Sequence, residues 1–158
     1  MIRIEPLTDE AFAEFGVPIR HPGGSERHYL PSALAAEAPP ASPAVWMNSL
    51  QPPVWPLAIE KLERHSHGAQ SFVPMGTGQM LVVVCGAGAD GMPDPARLRG
   101  FLCPAGTGFS YHPGTWHHGV TALGDAMDVL VIMAVHGIAD ETEWFTLPAP
   151  ITIAEPEL

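Results

Sequence analysis

Short apolar runs alternate along this chain with clusters rich in Gly and Pro. The run from Met80 to Cys85 is apolar at every position, which predicts a central strand that is buried on both faces. Other segments of similar length have the composition of strands and are bounded by turn residues, so we expect strands there as well. In chain order, the predicted strands are 45–50, 57–64, 69–74, 79–85, 98–103, 107–111, 117–122 and 128–135.

The N-terminal part of the chain predicts only small elements. Residues 2–7 alternate between apolar and polar and predict a strand, and the Thr-Asp-Glu sequence after them caps a short helix at 11–15. Residues 20–43 are rich in Pro, Ala, Ser and Gly. This stretch predicts a loop or flap that contains a brief helix at 32–37.

Three further segments lie between or after the central strands. The Gly- and Pro-rich residues 86–95 predict a long exposed hairpin loop. Residues 141–147 predict an edge strand. The last segment, 148–158, predicts a loosely held arm that packs on a neighbouring subunit.

The number and brevity of these strands decide the fold class. With 18 Pro and 16 Gly in 158 residues, the chain favours many tight turns over helices. We therefore predict an all-β, double-stranded β-helix of the jelly-roll type with one or two short helices. The length suits a single domain at 1–158, divided into an N-terminal strand, helix and loop (1–44), the barrel (45–147) and the C-terminal arm (148–158).

The net charge restricts the partners of the protein. It is −10, with seven Lys and Arg, so the chain repels a phosphate backbone and we expect no nucleic-acid partner. We also expect no membrane partner, because no apolar run approaches membrane-spanning length. The two cysteines lie in apolar runs and are expected to be free thiols, which indicates a cytoplasmic location. An anionic small-molecule substrate would need a local cation, either a metal ion or a basic side chain.

The segment around His65 and His67 carries the first candidate chemistry. Two histidines separated by one residue share a face of an extended strand, so both imidazoles should point the same way. Gln70 adds a neutral amide oxygen nearby. Such a set predicts a site for a first-row metal, with the alternative that Gln70 hydrogen-bonds the backbone instead.

A second histidine-rich segment follows the 107–111 strand. The Pro-Gly turn after His112 ends one strand, so that His117 begins the next. His117 and His118 are adjacent and must face opposite ways, and we expect His117 to face the barrel interior. In the simplest interpretation, Tyr111 and Trp116 are ordinary aromatic residues of the core.

Lys61 and Glu63 have the same strand parity as His65. Glu63 is therefore a secondary candidate for a general base near a metal-bound substrate. The alternative is an exposed Glu-Lys pair, because charged residues are seldom buried.

Taken together, these segments resemble the ureidoglycolate lyase family, also called ureidoglycolate hydrolase, a branch of the cupins. The resemblance rests on Leu62-Glu63-Arg64-His65, on Gly68-Ala69-Gln70-Ser71-Phe72-Val73-Pro74-Met75, on Tyr111-His112 with Trp116-His117-His118 and, more faintly, on Phe12 and Phe15-Gly16. It implies a cupin fold, a homodimer, and cleavage of ureidoglycolate to glyoxylate and urea, a carbon–nitrogen lyase reaction of allantoin and purine breakdown. It also implies a divalent metal, which the sequence leaves open among nickel, manganese, iron and zinc.

The resemblance also implies roles for individual residues. His65, His67, Gln70 and His117 are the expected metal ligands, and Gln70, Asn48 and Lys61 are expected to bind substrate. His112 or Tyr111 is expected to transfer protons, with Glu63 as a further catalytic candidate.

Four positions depart from the family pattern. Ser49 stands where the family commonly has an arginine, and Met133-Ala134 stands where it tends to have an Asp-Arg pair. Both changes remove charge from positions that we expect to face the pocket, and His67 stands where relatives often have an apolar residue. They leave two alternatives open: a metal-dependent cupin enzyme acting on another small hydroxy or keto acid, and a non-catalytic cupin binding module whose histidines are satisfied by hydrogen bonds.

Overall fold

A computed structural model describes residues 2–36, 41–137 and 141–156. One short α-helix, α1 (Asp9–Phe12), and one 3₁₀ turn (Pro31–Leu34) accompany the strands. The strands are β1 (Ile4–Pro6), β2 (Gly16–Ile19), β3 (Ser42–Leu50), β4 (Leu57–His65), β5 (Gln70–Pro74), β6 (Gln79–Ala87), β7 (Pro93–Cys103), β8 (Gly108–Tyr111), β9 (Trp116–His117), β10 (Thr121–Leu123), β11 (Met127–Val135) and β12 (Thr142–Ile153).

Two curled sheets form the barrel. The larger sheet has seven strands in the order β1-β7-β6-β9-β4-β12, with β10 also paired to β6. The smaller sheet has five strands in the order β2-β8-β5-β11-β3. The all-β, cupin-type double-stranded β-helix predicted from the sequence is confirmed.

Strand β6 separates the two hydrophobic layers of the molecule. Its residues Met80, Val82 and Val84 belong to the cluster inside the barrel, whereas Leu81 and Val83 belong to a cluster on the outer side of the same sheet. All five are at most 1% exposed. The predicted strand with two buried faces is therefore confirmed, and its outer cover comes from β1, β12 and the residues beside them.

The N-terminal elements close one side of the barrel. The Thr8 side chain caps α1, which places Phe12 edge-on against Phe101 and Phe109. Strand β2, which the sequence did not predict, then pairs with β8. Gly16 begins β2 because a Cβ there would lie 2.0 Å from the Ser110 carbonyl oxygen.

Several predicted boundaries differ from the structure. The strand predicted at 117–122 is two strands, β9 and β10, because Gly119 lies in an irregular stretch between them. The loop predicted at 86–95 is shorter, since β6 and β7 extend into it and leave only 88–92. Both cysteines are free and buried.

The C-terminal arm predicted at 148–158 is wrong for the part that the structure describes. Strand β12 continues to Ile153, and Ile151–Ile153 pairs with the start of β4. Ile153 is completely buried, so apolar side chains beyond Pro150 hold this segment on the sheet. No helix of the described residues is long and apolar enough to span a bilayer.

Candidate metal and substrate site

Two adjacent strands of the larger sheet carry the candidate site. Leu62 of β4 and Trp116 of β9 belong to the outer cluster, so the neighbouring side chains Glu63, His65 and His117 point to the inner side. Strand register places Glu63 directly opposite His117. These three residues form the one group of potential metal ligands of this kind within the described ranges.

Their ligand atoms lie close together. The carboxylate oxygen and imidazole nitrogens of the three residues are within 4.8 Å of one another. His117 Nε2 lies 3.6 Å from Glu63 Oε1, and the rings of His65 and His117 are 5.5 Å apart between centroids. The His–Glu separation is too long for a strong hydrogen bond, so neither group satisfies the other.

The other ring nitrogen of each histidine has a partner. His117 Nδ1 lies 2.8 Å from the Thr115 carbonyl oxygen, and since a carbonyl can only accept, Nδ1 donates; in the neutral imidazole Nε2 then carries the lone pair. His65 Nδ1 lies 3.2 Å from the Thr142 hydroxyl oxygen. Both Nε2 atoms are buried and lack a hydrogen-bond partner among the described residues.

Tyr111 of β8 packs against His117. The two rings are stacked with centroids 4.2 Å apart and planes at 22°. The Tyr111 hydroxyl is buried and, in the described part of the chain, has no hydrogen-bond partner. Burial raises the pKa of Tyr111 well above its ordinary value, and the Glu63 charge adds to the effect, so the phenol is neutral at physiological pH.

Electrostatics keep Glu63 ionised and His65 neutral. Burial alone would raise the pKa of Glu63, but the contact with His117 and the charges of His117, His65 and His118 outweigh it, and the pKa is lowered. Burial, followed by the charge of His117, lowers the pKa of His65. A carboxylate and neutral imidazoles are the forms that bind metal.

The donor set therefore fits a divalent ion. Two imidazole nitrogens and one carboxylate form the ligand set of sites that leave other coordination positions open for substrate. Buried polar atoms without partners are uncommon in folded proteins, and here two of them converge on a carboxylate.

His67 lies outside this group. The prediction that His65 and His67 share a strand face is wrong, because β4 ends at His65 and His67 follows in a bend. Its ring instead packs against His136, with centroids 5.6 Å apart. Gly68, next in the chain, passes so close to the Ala134 carbonyl that a Cβ would lie 2.0 Å from its oxygen.

The other predicted residues are distributed around the barrel. Gln70 is 8% exposed and lies opposite Tyr111 in register, on the inner face of β5. Lys61 shares the inner face of β4 with Glu63 but is exposed, with Nζ 5.6 Å from the centroid of the Trp144 ring. Asn48 is exposed on β3.

His112 is separated from the group, on the side of the barrel that α1 covers. Its Nε2 lies 3.2 Å from the Ala13 carbonyl oxygen, and its backbone amide donates to Phe15. It lines a small cavity with Glu14 and Trp116 that does not include Glu63 or the other two members of the group.

The two charge-removing departures occupy different environments. Ser49 alternates with the inner residues of β3 and pairs with Asp128, so this exposed position faces outward and not into the pocket as expected. Met133 is 5% exposed and lies opposite Gln70 on the inner face.

Sequence reasoning missed Thr115 and Thr142, which orient the two imidazoles. Thr115 acts through its backbone carbonyl, and a backbone contact cannot be inferred from the type of side chain. Thr142 pairs with His65 across β4 and β12, and only the register of these distant strands brings it there.

Comparison with known proteins identifies the family of this chain. The sequence model of the family "Ureidoglycolate lyase" matches residues 1–154. The ureidoglycolate lyase of Pseudomonas paraeruginosa is 39% identical, covering 83% of this chain and 82% of that protein. The ureidoglycolate lyase of Rhizobium etli is 35% identical, covering 97% of this chain and 95% of that protein. The ureidoglycolate lyase of Burkholderia cepacia is 33% identical, covering 84% of this chain and 78% of that protein. This chain belongs to the ureidoglycolate lyase family.

Proposed function

We propose that this protein cleaves ureidoglycolate to glyoxylate and urea, as a carbon–nitrogen lyase of allantoin breakdown, and that Glu63, His65 and His117 hold a divalent metal for this reaction. Family membership supports the substrate. The observation that carries the metal proposal is the pair of buried imidazole Nε2 atoms that lack partners among the described residues and lie beside an ionised carboxylate.

Nickel, manganese, iron and zinc all accept this ligand set. When bound, such an ion would act as a Lewis acid on a substrate oxygen. Gln70 lies on the inner face beside Tyr111, where its amide can bind substrate or complete the ligand set.

The proton transfers fall to Glu63 and Tyr111. A carboxylate has two oxygens, so Glu63 can contribute one to the metal and use the other to accept the proton of the substrate hydroxyl. The electron pair released from that O–H bond forms the aldehyde carbonyl, and the carbon–nitrogen bond breaks. The neutral Tyr111 phenol protonates the departing urea nitrogen, and the proton on Glu63 then restores the phenol.

Lys61 is the basic residue best placed for the substrate carboxylate. It lies on the same face of β4 as Glu63 and is exposed, and its ammonium group is held over an aromatic ring. The neighbouring Arg64 lies on the opposite side of the strand and pairs with Glu143. Because the whole protein is acidic, such a local cation is needed to offset the repulsion of an anionic substrate.

The test is release of urea and glyoxylate from racemic ureidoglycolate, measured with apoprotein and after separate addition of Ni²⁺, Mn²⁺, Fe²⁺ and Zn²⁺. We expect release above the spontaneous rate in at least one metal-loaded sample. A folded, metal-loaded protein that gives only the spontaneous rate would exclude this function.

Met133 favours a second candidate class of substrate. It places an apolar side chain beside Gln70 on the inner face, where the family tends to carry charge. The same site would then act on another small hydroxy or keto acid with a less polar substituent. Comparison of kcat/KM for ureidoglycolate with that for a panel of such acids distinguishes the two.

We further propose that the protein is a homodimer formed through the outer face of the smaller sheet. This face carries Val45, Met47, Val73, Leu130 and Ile132, and Val45 and Met47 are 59% and 52% exposed. None of the five is charged, although the exposed Asp128 lies on the same face at the end of β11, so two copies with a net charge of −10 can meet through the apolar part of this face.

Sedimentation of two variants tests this interface. Met47→Lys introduces charge into the face and should give a monomer. Val54→Lys alters a residue that is 88% exposed outside the face, and should remain dimeric. A dimer that persists in Met47→Lys, or a monomeric wild type, would exclude the interface.

We also propose a cytoplasmic location. The two free, buried cysteines support it, because thiols persist in reducing compartments. Cell fractionation tests it, and recovery outside the cytoplasmic fraction would contradict it.

A further inference from the structure

A second polar network, centred on Arg64, lies on the outer side of the strands that carry the site. Arg64 stands between the two β4 residues of the site, and strand alternation turns it to the opposite face. Its guanidinium carbon lies 4.5 Å from the centroid of the Trp116 ring, and Nη1 donates a 3.1 Å hydrogen bond to the Gly91 carbonyl. Nη2 pairs with Glu143 at 2.7 Å.

The partners of Arg64 are themselves fixed by further contacts. Trp116 Nε1 donates to the same Gly91 carbonyl at 3.0 Å. The Ser66 hydroxyl donates to the second carboxylate oxygen of Glu143. One planar cation therefore meets an aromatic face, a loop carbonyl and a carboxylate at once, which the compact ammonium group of lysine cannot reproduce.

Two partners of Arg64 adjoin residues of the metal site in sequence. Trp116 immediately precedes His117 in β9. Glu143 immediately follows Thr142 in β12, and the Thr142 hydroxyl contacts His65. The guanidinium thus joins the three strands β4, β9 and β12 directly behind the ligands that they present.

We propose that Arg64 is a positioning residue that sets the separation of Glu63, His65 and His117 and so determines metal affinity. Arg64 does not touch the metal or the substrate; it acts by holding the backbones of β4, β9 and β12 at fixed spacing. This inference rests on the proposed function, since it takes these three residues to be the metal ligands. Loss of partners behind metal ligands typically weakens binding by about 10–100-fold.

Arg64→Lys tests the role without changing the charge. The matched control is Arg99→Lys, because Arg99 also pairs with a carboxylate, at 2.9 Å to Glu5, and lies 4.8 Å from the ring of Phe101. Arg99 joins β7 to β1, and β6 lies between β7 and the strands of the site. Co²⁺ affinity by calorimetry, the visible spectrum of the Co²⁺-loaded protein and the apoprotein Tm are measured for both variants.

We expect Co²⁺ affinity to fall by about 10–100-fold and the spectrum to change in Arg64→Lys. In Arg99→Lys both should match the wild type, although the Tm of each variant falls. Equal Co²⁺ affinity in Arg64→Lys and wild type, or an equal loss in Arg99→Lys, would overturn the positioning role and leave the proposed function standing.

Two further results complete the test. If Arg64→Lys does not fold, Ser66→Ala takes its place, since it removes one hydrogen bond to Glu143. A loss of Co²⁺ affinity smaller than the loss expected for Arg64→Lys supports the positioning role, and an unchanged affinity overturns it. A wild type that binds no Co²⁺ or other divalent ion would overturn the proposed metal site and this role together.

Discussion

The ring of Tyr111 lies flat against the ring of His117, with 4.2 Å between their centroids. This stacking and the hydrogen bond from His117 Nδ1 to the Thr115 carbonyl fix the imidazole in two directions. The remaining nitrogen, Nε2, is thereby aimed at Glu63, 3.6 Å away. The orientation of the imidazole is therefore set before any ligand binds.

Tyr111→Phe should separate catalysis from stability. The variant keeps the stacked ring and removes a buried hydroxyl that lacks a partner among the described residues, so the free energy of unfolding should stay equal or rise by up to about 1 kcal/mol. Turnover should fall by about 10²–10⁴-fold if the phenol transfers the proton. Urea denaturation and steady-state urea release measure the two effects, and full turnover would remove Tyr111 from the mechanism.

His65→Ala and His67→Ala should affect metal binding differently. His65 belongs to the group around Glu63, whereas His67 packs on His136. Metal affinity, measured by calorimetry, should fall in His65→Ala by more than the ~10–100-fold typical of an outer-shell partner. His67→Ala should bind metal as the wild type does, and a comparable loss in both variants would return His67 to the ligand set.

Glu143 should make stability depend on acid pH. Hydrogen bonds from Arg64 and then Ser66 lower the pKa of Glu143 below its ordinary value of 4.5. The stabilisation is complete above that value and is lost as pH falls through the lower pKa of the folded state. Since the pair is partly exposed, we expect no more than about 1 kcal/mol.

Unfolding of wild type and Glu143→Gln from pH 7 to pH 2 measures this contribution. The wild type should be the more stable at neutral pH, and the difference should shrink below about pH 4.5. A difference that does not change with pH would show that ionisation of Glu143 contributes nothing.

Gly68→Ala should destabilise the protein. Its Cβ would lie 2.0 Å from the Ala134 carbonyl oxygen, so the backbone must shift at a cost of about 1–3 kcal/mol. Gly76→Ala is the control, because nothing lies within 4 Å of its Cβ, and it should change stability by less than about 0.5 kcal/mol. Equal unfolding midpoints for the two variants in urea would contradict the close approach at Gly68.

The barrel strands were predictable because β structure leaves a strong local signal. The apolar run at Met80 and the turn residues around each strand placed most of the barrel to within a few residues. Strand β2 was not predicted, because Gly16-Val17-Pro18-Ile19 has no alternating pattern and depends on the close approach to β8. The C-terminal pairing of Ile153 likewise depends on a partner almost a hundred residues away.

The candidate site was predictable only in part. Parity along β4 correctly grouped Glu63 with His65, and the Pro-Gly turn separated His112 from His117. Parity failed at His67 because it holds only while the backbone is extended, and β4 ends two residues earlier. Thr142 could not be found, since register between distant strands is a tertiary property.

The pairing order of the larger sheet has a consequence for biosynthesis. Glu63 meets His117 across β4 and β9, and the other edge of β4 is completed by β12, which is translated after both of these strands. Pairings between such distant segments form slowly, because the long intervening chain must first be closed. The candidate metal ligands therefore come together only once β9 has been translated, and a nascent chain truncated before Thr142 would present β4 with one edge unpaired and open to aggregation.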